Sequence, residues 1–137
     1  MSMIATAAEF FDAIETGKGW AACAPHCTPD ATFSCQADAL AGVDTIEAYA
    51  GWMQGLLGPV SNGRYELKSF AADEGAGTVL GFAVFHGTHD GDGGPVPPTG
   101  RSVAADYVYA MEFDGPKIRH MTKIWNDTQS LRALGWG

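Results

Sequence analysis

Basic residues are few: eight Lys and Arg stand against sixteen Asp and Glu in 137 residues, for a formal net charge of −8. Phosphate binding needs cations gathered on one surface to displace counterions, and here they are scattered from Lys18 to Arg132. Nucleic acid is therefore excluded as an expected partner. Cysteine is scarce too. Cys23, Cys27 and Cys35 are an odd number, which argues against a disulfide framework. Cys23 and Cys27 flank His26, but no second ligand pair follows at zinc-site spacing, so no metal is expected. There is no long apolar run, and hence no expected membrane span. Met1-Ser2-Met3-Ile4-Ala5 has no basic segment leading into an apolar one, so it does not read as a signal peptide and the expected location is cytoplasmic.

What is present is an apolar fraction of 46% with 18% charged residues, in a length that suits one domain over 1–137. Ile4, Ala7, Ala8, Phe10, Phe11 and Ile14 recur at helical spacing over 4–16, and Trp20 to Ala24 continues as a second helical stretch. Pro25 and Pro29 end it, and 30–35 alternates like a short strand. Asp44 reads as the N-cap of a helix over 45–57. Strands follow over 63–71 and 77–88, joined at Asp73-Glu74-Gly75. The segment 89–100, rich in Gly and holding Pro95, Pro97 and Pro98, predicts a long exposed connection. Strands over 101–113 and 117–125 flank the turn at Asp114-Gly115-Pro116, and Asn126 or Asp127 caps a short last helix. Helices at one end and a strand meander at the other predict an α+β domain with an antiparallel sheet.

Six blocks in order carry a family resemblance. They are Phe10-Phe11-Asp12-Ala13-Ile14-Glu15, Leu40 to Ile46, Gly87-Thr88-His89-Asp90-Gly91, Pro97 to Arg101, Lys117-Ile118 and Leu131 to Gly135. In these the chain resembles the NTF2-like (cystatin-like) superfamily, and within it the SnoaL-like group of polyketide cyclases, related to ketosteroid isomerases. The resemblance implies a curved antiparallel sheet wrapped around N-terminal helices, a conical hydrophobic cavity for a small ligand, and often a dimer. It also places Tyr109 and Lys123 where relatives carry polar catalytic groups. Lys123 stands where cyclase-like relatives have an acidic group, and Tyr109 where ketosteroid isomerases have a carboxylic acid donor, so neither catalytic set is intact.

Strand alternation puts Val103, Ala105, Tyr107, Tyr109, Met111 and Phe113 on one face of the third long strand. In the last strand, Arg119, Met121, Lys123 and Trp125 oppose Ile118, His120, Thr122 and Ile124. A phenol in an apolar hollow can stabilise an oxyanion, and a desolvated lysine becomes a usable base. Tyr109 is thus expected to polarise a carbonyl while Lys123 handles the proton. The bland alternative is a core Tyr109 and a Lys123 that snorkels to the mouth. Asp106 and His120 form a reserve acid/base pair, facing outward unless the register slips by one residue.

Trp20, Phe33, Tyr49, Trp52, Met53, Tyr107, Met111, Met121 and Trp125 are the expected ligand-binding wall, suited to a flat or polycyclic apolar ligand. His86 and His89 read as solvated, and Arg101 as a residue that fixes the loop by hydrogen bonds. The other sheet face, with Ala104, Val108, Ala110, Thr122 and Ile124, would be a water-facing apolar patch and predicts a homodimer through the sheet. The leading expectation is a cofactor-free enzyme acting on an apolar carbonyl compound by proton transfer, an isomerase or aldol-type cyclase. A non-catalytic binding or accessory protein on the same fold is the other.

Overall fold

Helix α1 (Met3–Glu15) starts where the Ser2 hydroxyl accepts the Ala5 amide, and it buries Ala7, Phe10, Phe11 and Ile14 on one stripe. The structure, a computed structural model, describes residues 2–137. Gly17, at φ 71°, lets the chain turn out of α1 into the single turn of α2 (Trp20–Cys23). Strand β1 (Cys27–Cys35) follows a 3₁₀ turn at Ala24–His26. Helix α3 (Ile46–Leu56) is capped by Thr45, whose hydroxyl accepts the Ala48 amide, and not by Asp44 as expected. The strands are β2 (Arg64–Asp73), β3 (Thr78–Thr88), β4 (Ser102–Asp114) and β5 (Lys117–Trp125), and α4 (Asp127–Leu134) closes the chain behind an Asn126 cap.

The five strands lie in the order β1-β5-β4-β3-β2, in an α+β arrangement with an open sheet. β2 to β5 form the expected antiparallel meander. β1 joins the far edge parallel to β5, which local alternation could not foretell because the partner lies near the other end of the chain. Helices α1 and α3 fill the hollow of the sheet. Phe11 meets Tyr65 edge-on at 5.1 Å and Tyr109 at 5.0 Å, and Phe33 stacks on Tyr49 at 4.5 Å.

Alternation holds along β4, where Val103, Ala105, Tyr107, Tyr109 and Met111 are all buried. It fails once in β5. Glu112 pairs with His120 but Phe113 pairs with Ile118, so Arg119 is an extra residue, a β-bulge. The bulge shifts the parity, and Ile118 is buried on the same side as Met121 and Lys123 instead of with His120.

The 89–100 segment is also more tightly tied than its composition predicts. His89 is fully buried, not solvated. Its amide donates to the Arg101 carbonyl at 2.9 Å, and its Nδ1 accepts the Thr99 amide at 3.2 Å and the Trp136 indole N–H at 2.8 Å. Arg101 fixes the loop through that carbonyl, while its side chain is exposed and makes no hydrogen bond among the described residues.

Candidate active site

Lys123 is the centre of the site. It occupies β5 directly opposite Tyr109 of β4, and its side chain turns into the hollow until the residue is only 6% exposed. Its ammonium donates to the Tyr49 hydroxyl at 2.9 Å, and Tyr49 and Tyr109 share a hydrogen bond of 2.5 Å. Five aromatic rings surround the nitrogen: Trp125 at 4.4 Å, Tyr49 at 5.0 Å, Trp52 at 5.3 Å, Tyr107 at 5.5 Å and Tyr109 at 6.0 Å from the ring centres.

Facing this cage is Glu15, at the end of α1 and 2% exposed. Burial raises the pKa of its carboxyl, against the nearby Lys123 charge and the hydroxyls of Tyr109 and Tyr107, which favour the ionised form. Its Oε1 and the Tyr107 hydroxyl are nonetheless buried without a partner in good hydrogen-bonding geometry. Lys123 is pushed down to about 8 by burial, with Glu15 and Cys35 pulling the other way. Tyr49 and Tyr109 are held protonated by burial above all, then by the Glu15 carboxylate. A carboxyl inclined to keep its proton and an amine inclined to lose one thus share a dry site.

Both groups open onto an apolar pocket between α3, β3, β4, β5 and α4. Its cavity volume is about 50 Å³, and it is lined further by Trp52, Met53, Leu56, Phe85, Val103, Ala105, Tyr107, Trp125, Ser130, Leu131, Leu134 and Trp136. Of the expected wall residues, Trp52, Met53, Tyr107 and Trp125 line it. Trp20, Phe33, Tyr49, Met111 and Met121 instead pack in or against the core below. Tyr109 also lies below the pocket and reaches Lys123 through the Tyr49 hydroxyl.

The reserve pair stays outside. Asp106 is exposed, and His120 holds Thr32 at 2.7 Å and Ser34 at 3.1 Å on the outer sheet face. His86 is likewise outward, 3.0 Å from Glu66. Cys23 and Cys27 are buried free thiols pushed up to about 11 and about 12, mainly by burial.

Sequence reasoning missed Glu15 and the contribution of α4. A signal for Glu15 was present: it follows Phe11 by four residues and Ala7 by eight, so it continues the buried stripe of α1. The wall from α4 had a weaker one, Leu131 and Leu134 on one helical face.

An open curved sheet around helices is the NTF2-like fold. The SnoaL-like domain family matches residues 7–121, and the chain belongs to it. No curated protein matches the chain. Among solved structures, a proposed SnoaL-like polyketide cyclase from Jannaschia sp. CCS1 is similar at a TM-score of 0.79 and 17% identity, covering 98% of this chain and 92% of that one. IdmH, a proposed polyketide cyclase from Streptomyces antibioticus, is similar at 0.78 and 19%, with 98% and 99% covered. AclR, a proposed hydroxylase from Streptomyces galilaeus, is similar at 0.77 and 23%, with 98% and 85% covered. At these identities the likeness is one of fold. Among the described residues no helix is long and apolar enough to cross a membrane.

Proposed function

We propose that this protein is a small-molecule enzyme that binds a flat apolar carbonyl compound and moves a proton on it, as an isomerase or an aldol-type cyclase. The observation that carries this reading is that Glu15 and Lys123 both line one apolar pocket. Aromatic walls from Trp52, Tyr107 and Trp125 bind the flat body of the substrate and exclude water. In its protonated form, which burial favours, Glu15 donates to the carbonyl oxygen as negative charge grows there, and the free-amine form of Lys123, which burial also favours, removes the proton at the adjacent carbon. Tyr49 and Tyr109 hold the amine in place and act on the substrate through it. No cofactor enters the scheme, and a cytoplasmic location fits it.

The test is turnover of a panel of cyclic enones and aryl diketones, followed by proton exchange at the α-carbon. The expected result is exchange by the wild type, lost in Glu15→Gln and in Lys123→Met. Binding of several panel members with no exchange and no product would overturn catalysis. It would leave the alternative of a carrier or accessory protein, which the close fit of five rings around Lys123 itself favours. The protein is further proposed to act as a homodimer through the outer sheet face. Phe82, Val108 and Ile124 are cross-strand neighbours there, and Ile124 is 62% exposed.

A further inference from the structure

A buried lysine is costly unless its charge is paired, and Lys123 has no such pairing. Among the described residues, no carboxylate oxygen comes within 4.0 Å of its nitrogen, although ion pairs form elsewhere in the molecule. Its single hydrogen bond, to the Tyr49 hydroxyl, uses one of its three protons. The five surrounding rings offset part of that cost by cation–π attraction, and two protons of the ammonium are left without an acceptor. The nitrogen sits in a pocket wall built of carbon, beside a carboxyl with an unpartnered oxygen. That is what an amine nucleophile and its dehydrating acid require.

We propose that Lys123 is a covalent catalyst, its free amine adding to an aldehyde or ketone carbon in the pocket to form an imine. The inference rests on the carbonyl reading above and goes beyond it. The Lys123 nitrogen lone pair forms the new C–N bond while the carbonyl π bond opens onto oxygen. One nitrogen proton moves to that oxygen, giving a carbinolamine. Glu15 then protonates the hydroxyl, the C–O bond breaks, water leaves, and the resulting iminium returns its remaining nitrogen proton to Glu15. The sum is amine plus carbonyl giving imine plus water, with no oxidant or reductant. While it still holds that proton, the iminium withdraws electrons from the adjacent C–H far more strongly than a neutral carbonyl, which is what isomerisation or aldol closure needs. The groups that face the amine are Glu15 from α1, Tyr49 from α3, Cys35 from β1, and Tyr107 and Tyr109 from β4. Burial, the largest influence, lowers the amine to about 8, so a useful fraction is unprotonated near neutral pH.

The wild-type chain tests this without any variant that has to fold. It is incubated at pH 8 with 2-naphthaldehyde or 2-acetylnaphthalene and sodium cyanoborohydride, and the modified lysines are located by peptide mass spectrometry. The exposed Lys18, Lys68 and Lys117 serve as internal controls. The expected result is reduced adduct on Lys123 at about ten times the rate of any control lysine, because far more of its amine is free at that pH. Probe binding is read separately from quenching of Trp52, Trp125 and Trp136. Binding with no preference for Lys123 overturns the imine and leaves proton transfer standing. Absence of binding by every carbonyl probe overturns the carbonyl reading, and the imine with it.

Discussion

Trp136 Nε1 donates a hydrogen bond of 2.8 Å to Nδ1 of the buried His89, 47 residues earlier, and the two rings meet edge-on at 5.0 Å. Nδ1 also accepts the Thr99 amide, so the neutral ring carries its proton on Nε2, which is buried without a partner against Gly94. The contact ties the loop after β3 to the residue that forms the outer wall of the pocket.

Trp136→Phe keeps an aromatic wall but removes the donor. Stability should fall by about 1 kcal/mol, the usual worth of a part-buried hydrogen bond. Urea unfolding followed by far-ultraviolet circular dichroism measures it, and an unchanged midpoint would show that the bond contributes nothing. Trp136→Ala should in addition speed release of a bound aromatic probe.

Lys123 sets a pH dependence of known sign. Its amine is lowered from 10.5 to about 8 in the folded chain, so between those values the unfolded chain holds a proton that the native chain has released. Stability from this group therefore rises with pH across that window, and its cost is felt in full below it. The shift corresponds to an order of 3 kcal/mol. Lys123→Met should be more stable than wild type at neutral pH, and its lead should shrink by about that amount as the wild-type amine is neutralised. Parallel stability curves across this range would contradict the burial argument.

For Glu15 the sign is the reverse. Its carboxyl is raised in the folded chain, so the native protein holds its proton longer than the unfolded one. The stability it contributes is complete below the ordinary value of 4.5 and declines as pH rises through the folded value. Glu15→Gln should match wild type near pH 4 and exceed it at neutral pH, while abolishing turnover. The same change removes the negative charge that supports the Lys123 ammonium, so the pH at which Lys123 becomes reactive should fall. The pH profile of reductive labelling reads this directly.

Tyr109→Phe separates support from contact. The ring lies under the pocket, so KM should hold while kcat drops about tenfold and stability falls by about 1 kcal/mol through loss of one buried hydrogen bond. A large rise in KM would place the tyrosine against the substrate instead.

Ile124→Glu probes the outer sheet face. A charge at the exposed end of the row formed with Val108 and Phe82 should convert a dimer into a monomer without loss of fold. Sedimentation velocity distinguishes the two, and a wild-type monomer at micromolar concentration would remove the dimer proposal.

Much of this was legible from periodicity. The spacing of Ala7, Phe11 and Ile14 marks α1, and β5 spans the expected 117–125. Alternation along β4 puts Tyr107 and Tyr109 inward, and Lys123 faces inward because its stretch of β5 keeps that parity beyond the bulge. The rest depends on contacts made across the chain. Arg119 becomes a bulge only because Glu112 and Phe113 fix the register opposite it. His89 is buried only because Trp136 and Thr99 come to it, and nothing near His89 in sequence announces them. Glu15 was passed over because a charge at the end of a helix ordinarily points to solvent, and only the sheet and α3 closing over α1 keep it dry.

The parallel pairing of β1 with β5 has a consequence for biogenesis. Cys35 and Lys123 are partners in register although 88 residues separate them, so one leaves the ribosome well before the other. Synthesis is vectorial, so β1 waits as an unsatisfied edge until β5 has emerged. Lys123 therefore comes to lie against Tyr49 and near Glu15 only after β5 has been made.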